Sequence, residues 1–102
     1  GGILQSLSWA TREAVTYDAT RRTSFDWGSY PILRFEEVPR SVAVHVIDRP
    51  GDPFLGAGET AQGPTSAALA NAIYRAVGVR LTKLPMSPGS ILEALEAKKA
   101  QK

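Results

Sequence analysis

Between Leu55 and Gly78 the sequence passes from a glycine-rich loop into a helix and out again, and this order limits the folds open to the chain. Pro64 suits the first helical position, where its missing N–H would have had no partner. Ala68, Leu69, Ala72, Ile73, Ala76 and Val77 recur at helical spacing and predict one apolar stripe on a helix over 64–77. If that stripe is core, Leu69→Ala costs about 2–5 kcal/mol. Gly78 fits the left-handed position just past the helix end. Upstream, Gly51, Gly56, Gly58 and Gly63 predict a loop with conformations closed to other residues. Glu59 is the sole charged side chain between Asp52 and Arg75. A carboxylate there admits two readings. It is either a charge stabilised by the nearby helix N-terminus, by at most about 1 kcal/mol, or a general base, which needs a rigid loop and exclusion of water. The residues alone leave both open.

The rest of the chain is read around that helix. Ile3, Leu4, Leu7, Ala10 and Ala14 are spaced for an N-terminal helix, whose apolar face Trp9 and Val15 broaden. No cap precedes it and the chain does not start with Met, so the expectation is a piece excised from something longer. Residues 14–18 and 23–27 predict a hairpin around a turn at 19–22, and residues 28–39, bounded by Pro31 and Pro39, are irregular. Residues 41–48 give the strongest strand signal, with Val42, Val44 and Val46 on one face and Ala43, His45 and Ile47 on the other. A long loop over 48–63 leads to the central helix. Pro88 begins a short C-terminal helix, with Ser87 as one possible cap, Ser90 and Glu93 as a possible capping box, and Ile91, Leu92 and Leu95 as its inner face. The predicted fold class is α+β: a small antiparallel sheet packed with an N-terminal helix, a central helix over 64–77 and a short C-terminal helix. Residues 1–97 would form a single domain and residues 98–102 a disordered basic tail.

Composition removes several function classes. A net charge of +2 with arginines dispersed along the chain is no nucleic-acid footprint. The absence of cysteine excludes disulfides and thiolate-held zinc or iron–sulfur clusters in this chain. No apolar run is long enough for membrane insertion. The compartment stays open between cytoplasm and periplasm. Gly56 to Ala61 fits G-x-G-x-x-A, but Glu59 stands where a pyrophosphate needs room and no acidic residue follows at ribose distance. His45, the single histidine, has no nucleophile-elbow serine or ligand cluster to work with.

The order of Gly1-Gly-Ile-Leu-Gln-Ser-Leu7, Ser29-Tyr-Pro-Ile-Leu-Arg34, Gly56-Ala-Gly-Glu59, Pro64, Ala70-Asn-Ala-Ile73 and Arg80-Leu-Thr-Lys-Leu-Pro85 resembles a known family. It is similar to the C-terminal segment of the molybdopterin-binding large subunit of the xanthine dehydrogenase and aldehyde oxidase family, and within it to isoquinoline 1-oxidoreductase beta subunits. The resemblance implies that Glu59 is the catalytic base and that Gly58 borders the cofactor. It also implies molybdopterin cytosine dinucleotide in the complete enzyme and iron–sulfur clusters on a partner subunit. The expected partners are the remainder of the large subunit and that iron–sulfur subunit, with aldehydes or N-heteroaromatics as substrates. The chain alone should be inactive. The competing reading is a small non-catalytic interaction domain that keeps the family fold.

Overall fold

A computed structural model describes residues 1–101. Helix α1 spans Gly2–Thr11, α2 Gln62–Val77 and α3 Pro88–Ala100, and a single 3-10 turn spans Phe35–Glu37. Helix α1 packs on α2. Ser87 caps α3 by accepting the Ser90 N–H at 3.2 Å, with Pro88 in the first turn. Gly78 ends α2 in the left-handed region at φ 71°, its N–H donating to the Tyr74 carbonyl at 2.8 Å. Helix α2 starts two residues before Pro64, so the proline sits third in the helix. Its missing N–H still falls among the first-turn groups that have no helical partner. Helix α3 carries on through Lys98 and Lys99 to Ala100, the stretch expected as the start of a disordered tail; Lys102 lies outside the described residues.

The expected antiparallel sheet is absent among the described residues, and the fold is helical rather than α+β. The predicted hairpin is reduced to one bridge, Tyr17 with Arg22. Its ends are taken by side chains instead of a ladder. Asp18 Oδ1 accepts the N–H groups of Thr20 and Arg21, and the buried Ser24 hydroxyl accepts the N–H of Thr16. Asp26 then turns the chain by accepting the N–H groups of Gly28 and Ser29, a local competition with strand pairing that Asp and Ser favour. Residues 41–48 carry strand composition but form no regular element and are exposed throughout. A strand exists through its neighbour's hydrogen bonds, and the rest of the described chain provides none.

The core is correspondingly small. Ala10, Val79 and Met86 are the buried apolar residues, joined by the buried hydroxyls of Ser6 and Ser8. The Ser6 hydroxyl turns back onto the Gly2 carbonyl at 2.8 Å. The Met86 N–H donates to the Ala10 carbonyl at 2.6 Å, tying the segment before α3 to α1. Beyond the end of α2, Arg80 donates to Asn71 at 2.7 Å and lies 4.4 Å from the centre of the Tyr74 ring. Lys98 on α3 reaches the Gly78 carbonyl at 2.7 Å. The radius of gyration is 17.2 Å, against about 13 Å for a compact chain of this size.

The stripe on α2 is half-covered at Leu69 and Ile73, and no residue of that helix is buried. Leu69→Ala in the free chain should therefore cost about 1 kcal/mol, because full burial of a leucine is worth about 1.5–3 kcal/mol. Urea unfolding followed by circular dichroism measures it. A loss above about 2 kcal/mol would show that this face is core after all.

Candidate functional site

Glu59 stands three residues ahead of α2, in a fully exposed stretch running from Gly51 to Thr60. Its carbonyl accepts the Gln62 N–H at 3.1 Å, and the Thr60 hydroxyl donates to the Ala57 carbonyl at 3.1 Å. These two bonds turn the backbone into the helix. Among the described residues the Glu59 carboxylate has no hydrogen-bonding or ion-pair partner. Nothing among the described residues screens it from water.

The glycines of this loop work differently from the expectation. Gly51, at φ 90°, and Gly78 are the glycines with positive φ, whereas Gly56, Gly58 and Gly63 adopt backbone open to any residue. A Cβ added at Gly56 or Gly58 would meet nothing within 4 Å. Those two positions leave bare backbone beside Glu59. The tight glycine is Gly2 in α1: a Cβ there would lie 2.6 Å from the Gly58 carbonyl oxygen and 3.8 Å from the Ala61 Cβ. The first turn of α1 thus rests directly on the loop that carries Glu59. Gly2→Ala should force the two apart and destabilise the chain by about 1–3 kcal/mol. Thermal unfolding reads this directly, and an unchanged midpoint would mean that the contact yields without cost.

A second constellation escaped the sequence reading. The Glu13 carboxylate accepts from the buried Ser8 hydroxyl through one oxygen and from the Tyr30 hydroxyl, at 2.8 Å, through the other. Ser8 in turn accepts the Leu33 N–H at 2.9 Å. Close by, Glu37 takes the Arg12 guanidinium at 2.7 Å on one oxygen and the Arg34 N–H at 2.9 Å on the other. Together they fasten residues 30–37 to the end of α1. Apart from Arg34 and Glu37, the partners lie five to twenty-five residues apart with no shared period, so no sequence signal marks them. Phe35 is exposed.

Three groups have directed titration. The hydrogen bond to Glu13 pushes the Tyr30 phenol above its ordinary value. The N–H groups of Thr20 and Arg21, with the Thr20 hydroxyl, hold the Asp18 carboxyl below the usual range; the Ser29 hydroxyl and N–H do so for Asp26. A lowered folded-state value stabilises above the unfolded pKa and loses that effect as pH falls through the folded one. The two aspartate turns should thus hold above pH 3.8 and open on acidification below it. Tyr30 runs the other way: its bond persists below pH 10 and is lost as pH rises through the raised value. Carboxyl carbon NMR should place both aspartate midpoints below 3.8; midpoints at or above it would mean these turns are not closed by the carboxylates.

Among the described residues no group of three or more His, Cys, Asp or Glu side chains could hold a metal, and His45 is exposed. No described helix is long and apolar enough to cross a membrane. No protein-family model matches the sequence. The chain is nevertheless 39% identical over 95 residues, 93% of its length, to a nicotinate dehydrogenase subunit of Pseudomonas putida. Its similarity is to oxidoreductases. A further relative is aldehyde oxidoreductase of Megalodesulfovibrio gigas, 32% identical over 101 residues, 95% of this chain. These matches take up 8% and 11% of the two relatives, so the chain spans about a tenth of the length of the proteins it resembles.

Proposed function

We propose that this chain is part of a molybdenum-dependent oxidoreductase acting on an aldehyde or an N-heteroaromatic compound, and that Glu59 is the proton acceptor at its reacting centre. The observation that supports this best is the 39% identity to the nicotinate dehydrogenase polypeptide along almost the whole chain. One relative's name points to a pyridine carboxylate and the other's to aldehydes, which is the span of substrates proposed.

The residues fit a cofactor that is flanked rather than held. On the side where a Cβ of Gly56 or Gly58 would stand there is nothing within 4 Å, so a broad planar group has an open approach there beside Glu59, and Gly58 is the residue that would border it. The chain offers no ligand cluster among its described residues, so the cofactor's hold belongs to other segments. When bound, molybdopterin cytosine dinucleotide supplies a two-electron acceptor, with iron–sulfur clusters on a partner subunit to receive the electrons. The protein's part is position and proton transfer. Glu59 takes a proton through its unpaired carboxylate, and Gly2 against Gly58 sets where that carboxylate stands. Glu59 is exposed here, so cover from further polypeptide is required and the chain alone should show no turnover.

A non-catalytic interaction domain is the second reading, favoured by the exposure of Phe54, Leu55 and Val46. Metal analysis after native isolation of the tagged chain separates the two. Molybdenum and iron co-purifying with larger polypeptides is the expected result. Recovery of an 11.0 kDa chain free of both metals would overturn the enzyme reading.

A further inference from the structure

We propose that residues 41–47 are a docking strand, which pairs with an open sheet edge on the larger polypeptide of the oxidoreductase. The inference rests on the reading of the chain as part of such an enzyme and adds the surface through which it joins.

Three observations carry it. The first is composition. Val42, Val44 and Val46 alternate with Ala43, His45 and Ile47, so both faces of the segment are largely apolar and β-branched residues dominate. A strand apolar on both faces suits a sheet that is covered on both sides.

The second is that the described chain leaves this segment without company. Val44, Val46 and Ile47 are 70%, 87% and 82% exposed, and no backbone group of residues 41–48 bonds to another part of the described chain. Pro39 bounds the run on one side. On the other, Gly51 at φ 90° and the Asp52 N–H on the Arg49 carbonyl at 3.2 Å turn the chain away. The free length is that of an ordinary strand, on the order of 20 Å. Unpaired main-chain groups and apolar side chains in one segment are what strand addition satisfies together.

The third concerns the occupant. A second copy of the chain would bring the same meagre core. The sequence instead recurs, over 93% and 95% of its length, inside oxidoreductases of which it makes up 8% and 11%. In such proteins about nine-tenths of the polypeptide is available to provide the sheet edge and its two apolar layers.

Hydrogen–deuterium exchange on the natively isolated assembly and on the free chain tests this. Peptides covering 41–47 should exchange at least about 100-fold more slowly in the assembly than in the free chain. Val44→Pro, which removes a ladder donor, should cut recovery of the larger polypeptide at least about tenfold, whereas Val44→Thr should retain it. Helical circular dichroism, to which residues 41–47 do not contribute, checks the fold of both variants. Equal exchange in the free chain and in an assembly that holds molybdenum would overturn the docking strand and leave the enzyme reading standing. Protection that grows with concentration in the isolated chain would overturn it in favour of a second copy. A chain recovered without metal or larger polypeptide would remove both readings.

Discussion

Replacing Glu59 by Gln should lower turnover of the assembled oxidoreductase by about 10²–10⁴-fold, the usual contribution of a positioned general base, with metal content unchanged. The amide keeps the size of the carboxylate and loses its ability to accept a proton. Glu59 is exposed and unpaired in the chain, so the substitution should alter stability by no more than about 0.5 kcal/mol. A drop in kcat cannot then be laid to unfolding. Molybdenum and iron per assembly, measured on the same preparation, show whether the cofactor is still housed. Full activity in Glu59→Gln would remove the proposed role, whatever the similarity to other oxidoreductases. The control is Thr60→Val, which breaks the hydroxyl bond to Ala57 and leaves the carboxylate in place. It should retain most of the activity.

The second large effect is expected at Met86. Met86→Ala should destabilise the chain by about 2–5 kcal/mol. Its side chain is 7% exposed and, with Leu7 of α1, Ile73 of α2 and Ile91 of α3, lines a cavity between the helices. The N–H bond to Ala10 is made by the backbone and survives the change, so the loss reports packing alone. Three buried apolar side chains make a slender core, and small domains start from only about 5–15 kcal/mol. Each kcal/mol lost in a chain of this size moves the melting temperature by about 4–8 °C. A fall of at least about 8 °C is therefore expected in the free chain. A shift below about 4 °C would show that the helices are held elsewhere.

Local chemistry was legible in the sequence where one residue decides the outcome. Gly78 signals a left-handed helix end by itself, and Ser87 before Pro88 signals a cap; both hold in the structure. Glu59 stood out because nothing charged surrounds it, and the structure keeps it unpaired. The sheet failed for a different reason. Alternating valines state what a segment needs on its two sides, without stating which polypeptide supplies it. Residues 41–48 carry that need unmet, and α+β was inferred by assuming that the chain met it internally. The hairpin failed more locally: past the backbone bonds of Asp18 to Arg21 and Thr23 to Thr16, the Thr16 N–H goes to the Ser24 hydroxyl and no ladder follows. The glycines misled through their type. Gly56 and Gly58 suggested unusual torsion angles, while the glycine under steric constraint, Gly2, lies in another element and gave no sign of its partner. Ser8, Glu13 and Tyr30 meet only once the chain has folded back, which no local pattern records.

The rest of α1 upon Gly58 makes the helix and the carboxylate a single mechanical linkage. Helix α1 behaves as a lever seated on α2, with Gly2 as its tip and Met86 braced against it near the far end at Ala10. Pressure on the tip is delivered to Glu59 through bare backbone, with no side chain between them to absorb it. The backbone at Gly58, one residue before Glu59, therefore follows how α1 lies against the loop. A partner that tilts this helix would shift the backbone beside Glu59 without touching the loop.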